Sequence, residues 1–568
     1  MPTLQFKGKN IIWNHHLAVP FHTLDEVPEL HYIPEKANGN MIIEGDNLIA
    51  LKALLPQFAG KVKCIYIDPP YNTGNEGWIY NDSVNSPLLK DWIGREVGKD
   101  DLTRHDKWLC MMVPRIKLLY QLLSENGVIF ISIDDNELSN LISFCNEIFG
   151  EENYIATIPR ITKKAGKTSD SISKNTDYLV IYKRIGNLEF EKIEIDDEGY
   201  KHSDEYEEER GKYKLSQTLD YSSIQYSTSL DYEIEIDGKI FRPGNSTKEE
   251  MEERIIRNPK SDWCWRWSKP LYKFGLEKGF VVVKESKNGK RIYTKTYSNA
   301  IIENTGSGYQ IKLIERKKNA TTLEFIENQY SNDNSRKEIE KLFGYKAFEY
   351  SKPSSLIKRI IQLASDQNSI ILDSFSGSGS TMHALMELNK EDGGNRKCIM
   401  VQMPENTTTE PEKNICKDIT RERVKRAIEK FSYDSGFKYY RLGIPLDAET
   451  MLAGQLPTYK QFAKYVYYLC TGENLDAEDL SAGQAGKINE AEFYVGEYGK
   501  QAIYLVYTQD YETLTRLALN LTLAEKIKEQ QPGKKRIVYA PSCFLDEEYL
   551  IDNQIEYVGI PYNLFQRR

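Results

Sequence analysis

Four short apolar runs, each closed by an acid, constrain this chain more than any other feature: NMIIEGD ends at Asp46, VKCIYID at Asp68, GVIFISID at Asp134 and SIILD at Asp373. Segments of helical period, such as WLCMMVPRIKLLYQLLSE, lie between several of them. Strands that alternate with helices build an α/β fold around a mostly parallel sheet. Ligands of such sheets sit beyond the carboxyl ends of the strands, so these acids stand where a site is expected.

The alternation stops after about residue 185 and resumes near residue 352. The interval holds EFEKIEIDDEGYKHSDEYEEER, a tyrosine-rich stretch, WCWRWSKP and GFVVVKESKNGKRIYTKTY, in which Asn288-Gly289 is a hairpin turn signal. It reads as a strand-rich domain inserted into the sheet domain. Past Asp434-Ser435-Gly436 come a helical segment over 457–470, the two-strand signal AEFYVGEYGKQAIYLVY, a helix at about 510–530 and strands at KKRIVYA and QIEYVGI, a small α/β domain. The expected boundaries are 1–37 for an N-terminal extension, 38–185 and 346–434 for the two parts of the sheet domain, 186–345 for the insert and 435–568 for the C-terminal domain. A chain of 568 residues needs several such units, because single cores stop growing well below that length.

Apolar residues at 40 % and charged residues at 28 % are ordinary globular proportions and argue against a disordered or fibrous chain. No window approaches the roughly 20 apolar residues of a membrane span, and MPTLQFKGKNIIW lacks a signal-peptide core, so a cytoplasmic protein with no membrane partner is expected. The eight cysteines form no Cys-x-x-Cys pair and read as reduced core residues. A net charge of −9 does not exclude nucleic acid, since phosphate contact depends on local sign. Basic stretches run from Thr157 to Lys174, with Arg160, Lys163, Lys164 and Lys167, and from Lys417 through KDITRERVKRAIEK. Either is also compatible with a solvated face.

The sharpest motif is IYIDPPYNTG, residues 65–74. Its chemistry suits methyl transfer to a planar amino group such as adenine N6, whose lone pair is delocalised into the ring. The Asp68 carboxylate and the Pro69 carbonyl can each accept one N–H, which pulls the nitrogen toward a tetrahedral shape and frees the lone pair. Pro69 and Pro70 stiffen the loop, so the acceptors need no rearrangement during reaction. Tyr71 offers a face on which a base can stack. A serine in place of Asp68 would point to cytosine N4 and an asparagine to glutamine. An Asp-Pro-Pro after a strand is also a plain turn, and only the longer string favours the chemical reading.

The second motif is ILDSFSGSGSTMHAL, residues 371–385. Gly377 and Gly379 follow a strand and precede a helix from Thr381 onward, so backbone can approach a ligand and the helix N-terminus can receive an anion. The carboxylate of S-adenosylmethionine fits such a place. Nucleotide binders and plain α/β loops share the pattern; the two motifs together favour the methyl donor.

With both motifs in hand, the chain resembles the β class of DNA amino-methyltransferases, in which the catalytic motif precedes the cofactor motif. The resemblance covers roughly residues 38–185 and 345–430 and makes the insert the target recognition domain. GDNLIALKAL, FISIDDNE, KPSSLIKRIIQLA, VQMPE and ICKDITRERVKRA narrow it to Mod subunits of type III restriction–modification systems. It implies a Rossmann-like S-adenosylmethionine-dependent domain, double-stranded DNA as substrate, a flipped-out adenine, a homodimer and a restriction (helicase-nuclease) subunit as partner. By position, Asp373, Ser374, Phe375, Gly377 and Gly379 would hold the methionine part of the cofactor. Lys352-Pro353 would begin the helix closing over it, and Asp46 would lie near its adenine. The family's usual acid after the next strand is missing, leaving Gln402 and Glu405 for the ribose.

Other features invite weaker readings. His15 and His16 are adjacent, unsuited to a helical metal pair, and no metal is expected. Asp134-Asp135 is read as shaping the site and capping the next helix. Trp263, Trp265 and Trp267 alternate and would share one strand face, as core or as a stacking surface, with core preferred. The apolar AIYLVY and YVGIPYNLF give the C-terminal domain a core and a face for assembly. No helicase or nuclease motif is present, so cleavage would need another subunit. An RNA or other amino-group methyltransferase, a stand-alone DNA methyltransferase and a non-enzymatic reading subunit stay open as alternatives.

Overall fold

The computed structural model describes residues 3–561 except 74–100, 102, 165–171, 195–198, 287–288, 307, 315–316, 407–411 and 476–487. They form two compact units: Met1–Glu191 with Thr321–Arg568, and Lys192–Ala320.

The larger unit is built on a nine-stranded sheet. Its strands are β1 (His22–Glu26), β2 (Met41–Glu44), β3 (Val62–Ile67), β4 (Leu123–Ile133), β5 (Tyr154–Ile161), β6 (Thr176–Lys183), β7 (Ile370–Asp373), β8 (Lys397–Gln402) and β9 (Lys438–Pro445). Their order is β1-β9-β2-β8-β7-β3-β4-β6-β5, parallel from β9 to β4 and antiparallel at both edges. The central strands are buried along almost their whole lengths, which is why they read as continuous apolar runs. From β3 the chain winds outward to β4, and from β7 it winds the other way to β8. The loops after β3 and β7 therefore flank the point where the winding reverses, the usual place for a ligand crevice in a Rossmann-like sheet.

The helices that position the loops are α1 (Asn47–Phe58), α2 (Arg104–Leu122), α3 (Leu138–Phe149), α4 (Asn332–Phe343), α5 (Ser354–Ala364), α6 (Ser380–Asp392), α7 (Glu422–Phe431) and α8 (Tyr459–Thr471). Among the described residues no helix is long and apolar enough to cross a membrane.

Three expected boundaries move. The N-terminal extension supplies β1, and the segment past Ser435 supplies β9, its partner inside the main sheet. The C-terminal strands β10 (Tyr494–Tyr498), β11 (Gln501–Leu505), β12 (Lys535–Ala540) and β13 (Ile555–Gly559) do form their own sheet, in that order. Yet α8 joins it to α1, with Lys464 Nζ donating to Gln57 Oε1 at 2.8 Å, and one apolar core runs through both sheets. Ala502 to Tyr507 is wholly buried in that packing, so AIYLVY has no face left for a partner. The second end of the insert also shifts: α4 lies in the sheet unit, where its Glu338 takes hydrogen bonds from Ser354 N and Arg423 Nη2, both at 3.1 Å.

In the Lys192–Ala320 unit, strands Val281–Ser286 and Gly289–Tyr297 form the expected hairpin, with Tyr213–Thr218 as a third strand; Asn288 lies outside the described residues. The strand carrying the tryptophans ends at Trp265, so Trp267 leaves it and the three indoles share no strand face. Trp265 is buried and donates Nε1 to the Tyr232 carbonyl at 2.6 Å; Trp267 packs against the same core, and Trp263 is half-buried.

Candidate active site

The chain leaves the buried strand β3 at Asp68, and each of the next residues is fixed by a different element. Pro69 is buried. The Pro70 carbonyl accepts Trp108 Nε1 of α2 at 2.7 Å. Tyr71 donates its hydroxyl to Asp177 Oδ2 of β6 at 3.1 Å, and burial pushes its phenol well above the ordinary range, so it stays a donor. Asn72 has a left-handed φ of 57° and gives Nδ2 to the Arg104 carbonyl at 3.1 Å and to the Glu137 carboxylate. Glu137 also takes His105 Nδ1 at 2.6 Å and Asn140 Nδ2 at 2.7 Å. Loop geometry held by this many partners is set before any substrate arrives.

Asp68 itself faces Lys352, whose Nζ donates to its two oxygens at 2.5 and 2.6 Å. The same ammonium lies 4.9 Å from the centroid of the Tyr71 ring.

On the neighbouring strand, β7 ends in Asp373. Its Oδ1 accepts Phe375 N at 3.0 Å and its Oδ2 accepts the Thr381 hydroxyl at 2.5 Å, which ties the loop to α6. Burial, reinforced by the nearby Asp68 charge, pushes the Asp373 carboxyl up to about 7. Gly377 and Gly379 have φ of 48° and 82°, and a Cβ on Gly379 would lie 2.9 Å from the Thr420 carbonyl. Gly377 N donates to Gln402 Oε1 at 2.7 Å, and its carbonyl accepts Thr420 Oγ1 at 2.6 Å. Beneath the loop, buried Arg423 Nη1 donates to Ser351, Ser378 and Ser380 hydroxyls at 2.9, 2.7 and 2.7 Å.

The segment from residue 62 to 429, which carries both loops, matches the family described as DNA methylase. The chain belongs to this family. The Mod subunit of the type III restriction-modification enzyme StyLTI of Salmonella typhimurium is 31 % identical over 455 residues, 74 % of this chain and 63 % of the relative. The EcoPI Mod subunit of Escherichia phage P1 is 30 % identical over 65 % of the chain and 58 % of its own length. The type II methyltransferase M.KpnI of Klebsiella pneumoniae is 29 % identical over 67 % of the chain and 84 % of its own length. The chain thus spans 58 to 63 % of the length of these two Mod subunits.

Of the other residues singled out in the sequence, Arg160 and the Asp134-Asp135 pair meet partners other than those expected. Arg160 is fully buried: Nε donates to Asp177 Oδ1 at 2.7 Å, and Nη1 to the Tyr330 carbonyl at 2.8 Å and Asn332 Oδ1 at 3.0 Å. It anchors the acid that holds Tyr71 and cannot reach a phosphate. Lys163 is half-buried and Lys164 exposed after β5, whereas Lys167 lies outside the described residues. Asp134 and Asp135 do not cap α3. Asp134 accepts Asn136 N at 2.9 Å, Asp135 pairs with Lys174 at 3.0 Å, and Glu137 occupies the cap position. Asp46 caps α1 through Leu48 N and Ile49 N, at 2.8 and 3.2 Å, and Gly45 N donates to the Gln402 carbonyl at 3.0 Å. Glu405 is a carboxyl raised by burial. Pro353 is the cap of α5.

The sequence assigns no role to Trp108 or Asp177, and Asn72 and Glu137 stand in the strings IYIDPPYNTG and FISIDDNE without a role of their own. Trp108 reads as one more apolar helix residue, and nothing in the local pattern marks Asp177, 106 positions from Tyr71.

Proposed function

We propose that this methylase transfers a methyl group from S-adenosylmethionine to N6 of a flipped-out adenine in double-stranded DNA. The observation that carries the reading is the Asp68-Pro69-Pro70-Tyr71 loop, pinned at the end of β3 beside the glycine loop of β7. Asp68 and the Pro69 carbonyl accept the amino hydrogens, and Tyr71 stacks the base. The cofactor supplies an electrophilic methyl on sulfur. The residues present suit it: Gly377 and Gly379 lie in the left-handed region and open the backbone, and α6 presents its N-terminus. The Ser374 hydroxyl, in a residue only 1 % exposed, has no hydrogen-bond partner among the described residues and fits a ligand acceptor. Ser374, Phe375 and Asp373 would hold the methionine part of the cofactor with Lys352-Pro353 beside them, and Asp46, Gln402 and Glu405 would hold its adenosine part.

The likeness to Mod subunits supports a role as the modification and recognition subunit of a type III system, a cytoplasmic homodimer that works with a restriction subunit. Lys163 and Lys164 serve phosphate contact, and the Lys192–Ala320 unit reads the target. A stand-alone methyltransferase is the second reading, favoured by the 84 % of M.KpnI that the chain covers. Single-molecule sequencing of DNA from a host expressing the chain tests the chemistry. N6-methyladenine in one sequence context is expected, and N4-methylcytosine or unmodified DNA overturns it. Light scattering tests the dimer.

A further inference from the structure

Lys352 has its backbone on one side of the site and its side chain on the other. Its carbonyl accepts the Ser380 hydroxyl at 2.9 Å, and the next residues start α5, so the main chain is fixed to the glycine loop. The side chain reaches across to the catalytic loop. There it contacts both oxygens of Asp68, at 2.5 and 2.6 Å, and the Tyr71 ring, 4.9 Å away. Only 10 % of the side chain is exposed, and Asp68 is 19 % exposed.

These two surfaces are the ones the reaction assigns to the target base: the acceptor for its amino hydrogens and the face on which its ring stacks. An ammonium imitates the reacting group, since it offers N–H donors to a carboxylate and positive charge to a π face. A carboxylate this sheltered would be costly without a partner, and Lys352 supplies one as long as no base is present.

We propose that Lys352 is a place-holder for the target amino group, so that a flipped base enters the site only by displacing its ammonium from Asp68 and Tyr71. A base whose amino group reaches Asp68 replaces the contact it removes, whereas a base with none at that position, 2-aminopurine included, leaves Asp68 unpaired. Lys352 is thus a positioning residue that screens what the loop admits. This inference rests on the adenine-methylating reading above.

The test uses the full chain and a duplex carrying 2-aminopurine at the adenine that sequencing identifies. For Lys352→Met we expect the fluorescence rise of the unstacked base at protein concentrations at least about tenfold lower than for the native chain. Lys352→Arg should restore the native titration. A titration of Lys352→Met that superimposes on the native one, or is weaker, overturns the proposal, because a purely structural lysine would leave base admission unchanged or impaired. Should Lys352→Met lose its fold, the native chain decides: an amine-reactive reagent should label Lys352 several-fold faster with the target duplex than with one lacking the motif. Equal labelling overturns the place-holder. Sequencing that finds no methylated adenine fells the functional reading first and the place-holder with it.

Discussion

Strands β3 and β7 lie side by side, both buried and both ending in an aspartate, yet the two carboxylates have opposite surroundings. Asp68 stays partly exposed, touches no backbone N–H of its own loop among the hydrogen bonds described, and faces a cation carried by another segment. Asp373 is 2 % exposed, spends both oxygens on its own loop and helix, and is pushed up to about 7. An acid at the end of a parallel strand is therefore not a reactive group by position alone. One of these builds the loop and the other leaves its lone pairs free for exchange.

The largest effect should come from the tether on the catalytic side. Arg160→Ala should cost about 3–5 kcal/mol of stability by thermal or chemical denaturation, since it leaves Asp177 charged and buried. A loss below about 1 kcal/mol with weakened DNA binding would instead return Arg160 to the role of a phosphate contact.

Asp68→Ala separates the two acids most directly. Transfer should fall by about 10²–10³-fold, as for other preorganised groups that meet the reacting centre. Calorimetry should find cofactor affinity within about threefold of native. Turnover within tenfold of the native rate would remove Asp68 from the chemistry.

On the β7 side the glycines differ from each other. Gly379→Ala meets the Thr420 carbonyl at 2.9 Å and also carries left-handed strain of about 1–2 kcal/mol. Its cofactor binding should weaken about tenfold or more. Gly377→Ala, whose nearest neighbour is Phe348 at 3.6 Å, should lose less. Equal losses would mean that strain alone, and not the packing against Thr420, sets the loop.

The smallest expected effect on stability is that of Asp373→Asn measured below about pH 4, at about 1 kcal/mol. The folded carboxyl holds its proton up to about 7, against 3.8 for a free one. Its contribution to stability is thus complete below about pH 4 and is lost as the pH rises through 7. The asparagine variant should flatten that part of the curve of melting temperature against pH. An unchanged slope would show that other groups cause it.

Much of the sheet was legible because a strand buried on both faces must be apolar throughout, and the catalytic string because its residue types have few other uses together. The edges were harder to read. His22–Glu26 is short and mixed, and Lys438–Pro445 looks like the start of a new domain, since nothing local reveals that the two pair. The run of cations after Thr157 misled for a similar reason: alternation in β5 aims Arg160 inward, where Asp177 neutralises it.

The sequence by itself determined that a parallel α/β sheet carries an Asp-Pro-Pro-Tyr loop and a glycine loop at its strand ends, because periodicity and rare residue strings are written along the chain. Tertiary structure alone decided which charges those loops meet. Lys352 and Asp68 are 284 positions apart, and an ion pair between segments so distant along the chain leaves no periodic trace in either one. Its existence depends on the order in which the strands pair.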